Sequence, residues 1–160
     1  MGLVLTCSCA TTPSPPVVAP VAVLTPATPD ELKSLLAAPG AKATLVNVWA
    51  TWCDPCVREF PDVLRAGRES EKRGVRTLFV SADFERDRPA AEAFLIRYAV
   101  EFPTYVKVGD DQAFIDSVSK SWSGSIPTTM IFDAQGNLRF LREGEIDYAG
   151  ITAALDAILD

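Results

Sequence analysis

Apolar residues occur in two patterns along this chain, and each pattern predicts one kind of secondary structure. Short, nearly continuous apolar runs between polar or glycine-containing turns are typical of strands buried in a parallel sheet. Apolar residues three and four positions apart indicate helices with one buried face. Strands are predicted over Ala43–Trp49, Val75–Ala82, Thr104–Val108, Thr128–Phe132 and Leu138–Arg142. Helices are predicted from near Pro29, Asp54, Pro89, Asp111 and Asp147.

Capping signals and apolar spacing set the ends of several helices. The residues from Thr28 to Glu31 have the pattern of a capping box with proline in the first turn, so a helix begins there. The fourth predicted helix is expected to reach about Trp122, because Phe114, Val118 and Trp122 recur every four residues. Strands that alternate with helices and end in a hairpin predict an α/β sandwich with a mixed sheet.

Residues 1–27 differ in composition from residues 28–160, which we expect to form one folded domain. The later part of this leading segment is rich in proline, alanine and threonine and carries no charge, which predicts an extended tether. Its opening stretch is apolar and contains Cys7 and Cys9, similar to the end of a lipoprotein signal peptide. Cys9 is the candidate for lipid attachment, with Cys7 as second choice. A tail with two incidental thiols is the alternative.

Composition excludes several functional classes. The net charge of −6 disfavours binding to nucleic acid, which requires a basic surface patch, and it disfavours binding to an anionic membrane. The chain has no histidine, which removes histidine-based catalysis and most zinc and haem ligation. The chemistry must therefore come from cysteine, carboxylate, lysine, tyrosine or backbone groups. We expect no cofactor and no metal.

The strongest chemical signal is a pair of cysteines separated by two residues, Cys53 and Cys56. A predicted strand precedes the pair and a predicted helix follows it, so Cys53 lies at a helix N-terminus. The unpaired N–H groups and the helix dipole at that position favour a thiolate. We therefore expect Cys53 to be the attacking group and Cys56, one turn later, to close a disulfide with it.

Three short motifs follow one another in the sequence at distinctive separations. They are Trp52-Cys53-Asp54-Pro55-Cys56, Glu59-Phe60-Pro61 and Ser125-Ile126-Pro127-Thr128-Thr129. Their order and spacing resemble those of the TlpA/ResA family of extracytoplasmic thiol–disulfide oxidoreductases, and residues 84–108 resemble the insertion of that family. The resemblance spans residues 28–160. It implies a thioredoxin-like three-layer sandwich with a central mixed sheet and an αβ insertion.

The resemblance also implies roles for five residues. Cys53 would attack a disulfide of a client protein, and Cys56 would then release the client. Trp52, Ile126 and Pro127 would bind the client, with a cis peptide bond before Pro127. A membrane thiol relay would supply the electrons at the periplasmic or other extracytoplasmic face of a bacterial membrane. Reduction of apocytochrome c or of copper-site proteins is among the activities that the family implies, and we expect a monomer.

Proton handling and redox tuning involve a second group of residues. Asn47 stands where thioredoxins carry a buried aspartate, so the proton must be handled by another group. Glu85 is the candidate, together with Asp83, because some relatives place an active-site glutamate in this region; solvated loop acids are the alternative. Asp54 places a negative charge beside the first cysteine and disfavours its thiolate. Together with Pro55, this favours a reducing protein over a strong oxidant.

Other functions are weighed for the same cysteine pair. A Cu(I) carrier is the alternative, since Cu(I) favours soft thiolates, but histidine and methionine are absent near the motif. A zinc site needs two more ligands, and only the two cysteines of the tail remain. A peroxidase is not expected, because Ala50 and Val46 stand where peroxiredoxins carry threonine and proline. Reduction of client disulfides is therefore the main hypothesis.

Overall fold

The computed structural model describes residues 24–160, which form a six-stranded mixed sheet between two layers of helices. The strands are β1 (Leu24–Ala27), β2 (Ala43–Trp49), β3 (Val75–Ser81), β4 (Thr104–Lys107), β5 (Thr128–Asp133) and β6 (Leu138–Glu143). The helices are α1 (Pro29–Leu36), α2 (Asp54–Glu71), α3 (Arg88–Arg97), α4 (Asp111–Val118) and α5 (Tyr148–Leu159). The strand order is β1-β4-β3-β2-β5-β6, and only the pairs that involve β5 are antiparallel within this sheet of residues 24–160.

The two faces of the sheet carry separate hydrophobic clusters. Helices α2, α3 and α5 cover one face, with Phe60, Leu95 and Leu155 among their buried side chains. Helices α1 and α4 cover the other face through residues such as Leu32 and Phe114. The predicted three-layer sandwich with a mixed sheet is therefore confirmed. Within residues 24–160, no helix has both the length and the apolar character that a bilayer crossing requires.

Strand β2 lies inside the sheet and carries the chain to the cysteines. All seven of its residues are buried, and it pairs with β3 on one side and β5 on the other. Its last residue, Trp49, packs against Phe60 of α2 and Phe94 of α3, with ring centroids 5.1 and 4.8 Å apart. Trp49 is fully buried and belongs to the core. These contacts hold the start of α2 at the carboxyl end of β2.

Residues 84–108 form the αβ insertion that the resemblance implies. Helix α3 packs on the same face of the sheet as α2. Strand β4 pairs in parallel with β3, with Thr104 opposite Phe79, and it pairs with β1 on its other side. The insertion therefore extends the sheet on the side away from β5.

The folded part begins before Thr28, where the sequence analysis places the end of a tether. Leu24–Ala27 form β1, a parallel edge strand, and Leu24 and Ala27 are buried. The tether prediction is wrong for these residues, because their pairing partner β4 lies far along the chain and local composition does not reveal it. The expectations for the preceding residues, including lipid attachment at Cys9, lie outside the described residues 24–160.

Helix α4 ends at Val118, earlier than the predicted end near Trp122. Ser119 has extended backbone angles, and serine competes poorly for helical conformation because its hydroxyl bonds to nearby backbone. Trp122 still packs against Phe114, with ring centroids 5.7 Å apart, but it does so from the following loop. Its indole Nε1–H donates to the carbonyl oxygen of Ser125 over 2.9 Å, an acceptor that a continued helix would not provide.

Candidate active site

The two cysteines are joined in a disulfide at the N-terminus of α2. The sulfur atoms are 2.03 Å apart and the Cα atoms 5.2 Å apart, both ordinary values for a protein disulfide. Cys56 is fully buried, whereas Cys53 is 6% exposed, so Cys53 is the more accessible member of the pair. The structure therefore shows the oxidised form, and the predicted pairing is confirmed.

Cys53 is the N-cap residue of α2, and its sulfur lies where serine or aspartate usually places an oxygen. The backbone N–H of Cys56 donates to Cys53 Sγ over 3.2 Å. The free N–H groups and the dipole of the helix concentrate partial positive charge at this sulfur. When the disulfide is reduced, the same arrangement favours a thiolate on Cys53, which is the form that attacks disulfides.

The turn that leads into the cysteines is fixed by the buried carboxylate of Asp83, which follows β3. Asp83 is 1% exposed. It accepts hydrogen bonds from the backbone N–H of Thr51 (3.0 Å), from the Thr51 hydroxyl (2.5 Å) and from the Ser81 hydroxyl (2.7 Å). The alternative of a solvated loop acid is wrong for Asp83. All these donors keep its carboxylate engaged, so its role is to hold the approach to α2 against the end of β3.

Glu85, the sequence-based candidate for proton handling, lies in a short 3-10 turn after Asp83. Its side chain is 72% exposed and forms an ion pair with Arg88 at 3.5 Å. Such a carboxylate is solvated and has no buried contact with the disulfide. The structure therefore gives no support to the role predicted for Glu85.

A second buried acid near the cysteines is Glu59, one helical turn after Cys56 on α2. Glu59 is 4% exposed, and its carboxylate accepts hydrogen bonds from Asn47 Nδ2 (2.8 Å) and from the backbone N–H of Ile146 (2.9 Å). Burial raises the pKa of Glu59 to about 7, and the two hydrogen bonds only partly oppose this effect. A group with such a pKa exchanges its proton readily at neutral pH.

Sequence reasoning quoted Glu59 only as part of a motif and missed its chemistry. The available signal was the combination of an acid three residues after Cys56 with an amide, Asn47, in the buried strand before it. The structure joins these two side chains directly. Glu59 also lines an open surface groove beside Arg58 and Ile146, so its proton has a route to solvent.

A mostly apolar cavity of about 190 Å³ is lined by Trp52, the residue that precedes Cys53. Trp52 and Phe84, which are 55% and 50% exposed, line it together with the half-buried Ile126. The structure thus brings together the predicted client-binding residues Trp52 and Ile126, and adds Phe84. The sequence analysis missed Phe84, because none of the three motifs contains it and its exposure depends on the folded structure. Pro127 is buried behind Ile126 and follows a cis peptide bond, as the resemblance implies.

Asp54 and Pro55 form the first turn of α2 between the two cysteines. Asp54 is exposed and Pro55 is partly buried. Proline fits this position because its missing N–H would have no partner within the helix. The effect of the Asp54 carboxylate on the dithiol remains a prediction. Among residues 24–160, no three cysteine, aspartate or glutamate side chains are grouped as a metal site requires.

A three-layer sandwich with a cystine capping α2 and a cis-proline loop beside it defines a protein of the thioredoxin-like class. The chain belongs to the AhpC/TSA family, whose family model matches residues 19–141.

Curated relatives carry names from thiol–disulfide chemistry. The chain is 36% identical over 107 residues to the thiol:disulfide interchange protein DsbE of Allochromatium vinosum, a match that covers 66% of this chain and 54% of the relative. It is 30% identical over 118 residues to the thiol-disulfide oxidoreductase ResA of Geobacillus kaustophilus, with 73% and 63% covered. The chain thus spans less than two thirds of the length of these relatives. The resemblance to the TlpA/ResA family is confirmed.

Solved structures give the same fold. A thioredoxin-family thiol:disulfide interchange protein from Chlorobium tepidum superposes with a TM-score of 0.64 at 22% identity, covering 80% of this chain and 85% of that one. A thioredoxin-related protein from Neisseria meningitidis superposes with a TM-score of 0.63 at 23% identity, covering 76% and 87%. At these identities the likeness concerns the fold.

We expect Asp83→Ala to destabilise the folded protein by about 3 kcal/mol, because it leaves buried donors of Thr51 and Ser81 without an acceptor. Urea unfolding of the oxidised protein measures the change. Asp87→Ala is the matched control, since Asp87 forms only a surface ion pair with Arg86 among residues 24–160. Equal stabilities of the two variants would contradict the role assigned to Asp83.

The raised pKa of Glu59 predicts how stability depends on pH. Between the ordinary value of 4.5 and the folded-state value of about 7, the folded protein keeps a proton that the unfolded chain releases. The free energy of unfolding should therefore fall over this range as pH rises, by about 3 kcal/mol from this group. Glu59→Gln should abolish that fall and be the more stable protein at pH 8. Urea unfolding across this pH range tests it, with Glu71→Gln as control, since Glu71 is exposed at the far end of α2. An unchanged slope in Glu59→Gln would refute the prediction.

Proposed function

We propose that this protein is an extracytoplasmic thiol–disulfide oxidoreductase that reduces disulfides in client proteins through Cys53 and Cys56. The observation that carries the proposal is the cystine at the N-terminus of α2, with Cys53 Sγ as the cap atom and the more exposed sulfur. The names of the curated relatives support the same chemistry.

The reaction begins from the reduced dithiol. The Cys53 thiolate attacks one sulfur of the client disulfide; the new Cys53–client bond forms as the client bond breaks, and the leaving thiolate takes up a proton. The Cys56 thiol then loses its proton and attacks Cys53, which forms the Cys53–Cys56 disulfide and releases the second client thiolate. Two electrons pass to the client. Glu59, one turn from Cys56 with a pKa of about 7, is the group that we assign to accept the Cys56 proton.

The client docks, in this proposal, against Trp52 and the backbone of Ile126. Within the described residues 24–160, neither the N–H nor the C=O of Ile126 has a hydrogen-bond partner. An extended client segment can pair with these groups as an added strand does. The cavity beside Trp52 has room for one apolar side chain of the client.

Oxidised protein must be reduced again before another turnover. We propose that a membrane thiol relay supplies these electrons at the periplasmic or other extracytoplasmic face, with Cys9 as the point of lipid attachment. Reduction of apocytochrome c or of copper-site proteins fits this placement. The lipoprotein-like residues around Cys9 and the proline-rich stretch after them support the extracytoplasmic placement. The resemblance to the TlpA/ResA family supports the relay and the range of clients.

Cys56→Ala should accumulate a mixed disulfide, because the sulfur that resolves it is missing. The reduced variant is mixed with a peptide that contains one internal disulfide, and adducts are counted by mass spectrometry without reductant. Cys53→Ala, which lacks the attacking sulfur, is the matched control and should form few adducts. Adducts mainly with Cys53→Ala would reverse the roles, and none with either variant would favour a metal carrier.

The charge of Asp54 should keep the dithiol reducing. Its carboxylate lies beside Cys53 and disfavours the thiolate that the helix dipole favours. The reduced dithiol is therefore less stable relative to the disulfide than it would be without this charge. We expect a reduction potential below about −200 mV in glutathione buffers, and a less negative one for Asp54→His. Glu71→His, at the far end of α2, should leave the potential unchanged. A wild-type value near that of a strong oxidant such as DsbA, about −120 mV, would refute this.

A further inference from the structure

Glu143, the last residue of β6, reaches from the sheet to the loop that borders the client cavity. Its carboxylate accepts hydrogen bonds from the backbone N–H of Ser123 (2.7 Å), the Ser123 hydroxyl (2.7 Å) and the Ser125 hydroxyl (2.9 Å). Its own backbone is fixed opposite Thr128 of β5. These bonds hold the pKa of Glu143 below its ordinary value, so the carboxylate is charged at neutral pH.

The loop has a second set of anchors on the side of the core. The carbonyl oxygen of Ser125 accepts from Trp122 Nε1 (2.9 Å) and from the Thr128 hydroxyl (2.7 Å). The carbonyl oxygen of Pro127 accepts from the backbone N–H of Gly144 (2.8 Å). Ile126 lies between these anchors, and its backbone N–H and C=O have no hydrogen-bond partner within residues 24–160.

The loop and the disulfide region share one cavity. Gly124 and Ile126 line it from the loop, and Trp52, which precedes Cys53, lines it from the other side. The placement of residues 123–126 therefore sets the width of the client cavity and the direction in which the Ile126 N–H and C=O face. Glu143 controls this placement without lining the cavity itself.

We propose that Glu143 is a positioning residue for client binding, which holds residues 123–126 in the conformation that an incoming client segment requires. The inference rests on the proposed reduction of client disulfides. A preorganised loop binds a partner with less loss of conformational entropy than a mobile one. Removal of the carboxylate therefore weakens client binding and leaves the sulfur chemistry of Cys53 unaffected.

The test compares a protein client with a small disulfide that has no segment to dock. Reduced wild-type protein and variants react with insulin and, separately, with glutathione disulfide. Glu143→Ala should raise KM for insulin about fivefold, a change equivalent to one lost hydrogen bond, with kcat and the glutathione disulfide rate within about twofold of wild type. Glu101→Ala, which removes a carboxylate without a side-chain hydrogen bond within residues 24–160, is the control.

A conservative variant separates positioning from charge. In Glu143→Gln, the side-chain carbonyl can accept from the Ser123 N–H and the amide can donate to the two serine hydroxyls, so KM should return to within about twofold of wild type. Amide hydrogen exchange at Ser123 and Ser125, which needs no substrate, should speed up in Glu143→Ala and recover in Glu143→Gln.

The outcomes are distinguishable. An insulin KM in Glu143→Ala no higher than in Glu101→Ala, unchanged amide exchange, or equal slowing with both disulfides would overturn the positioning role. If the wild-type protein reduced neither insulin nor glutathione disulfide, that result would instead refute the proposed function and the inference that rests on it.

Discussion

The hydrogen bonds of the buried Asp83 carboxylate are the constraint on which the active site depends. They tie the turn at Thr51 to the end of β3, so α2 starts at a fixed point beside the sheet. In this position Cys53 Sγ accepts a hydrogen bond from the Cys56 N–H and lies at the N-terminus of α2, where the helix dipole is positive. A mobile turn would leave the sulfur in varied environments, and its thiolate would lose this stabilisation.

Two acids near the cysteines serve different purposes because their surroundings differ. Asp83 accepts bonds from Thr51 and Ser81 and acts as a structural clamp. Glu59 is also buried, but its two hydrogen bonds do not offset desolvation, so its pKa rises to about 7. Burial alone therefore does not assign a role to a carboxylate. Three neutral groups donate to Asp83 and two to Glu59, and this difference accompanies the structural role of Asp83 and the proton-transfer role that we propose for Glu59.

In the proposed function, the dithiol chemistry and client binding depend on separate parts of the fold. Helix α2 provides both sulfurs and Glu59, and its position follows from the packing of Trp49, Phe60 and Phe94. The loop before β5 carries Ile126, whose backbone groups have no partner within residues 24–160, and the position of this loop follows from polar contacts with the sheet. We therefore propose that substitutions in the loop change client binding while the dithiol keeps its properties.

The sequence by itself determined the parts of the protein that depend on local pattern. The apolar periods predicted the elements after Thr28, and the spacing of Cys53 and Cys56 predicted the disulfide and the N-terminal position of Cys53. The periodicity of a helix or strand and the spacing of one helical turn involve residues close together in the chain, so the sequence itself reveals them. The family resemblance added Trp52 and Ile126 as predicted client-binding residues, and the structure places both around one cavity.

Tertiary structure decided everything that depends on distant residues. Strand β1 forms because β4 pairs with it, and Asp83 accepts hydrogen bonds from the distant Thr51. Glu59 is buried against Asn47 and Ile146, whereas Glu85, the predicted candidate for proton handling, is exposed. Burial and hydrogen-bond partners set the free energy of a charged group. Because these partners come from separate strands and loops, the properties of such groups emerge only once the chain has folded.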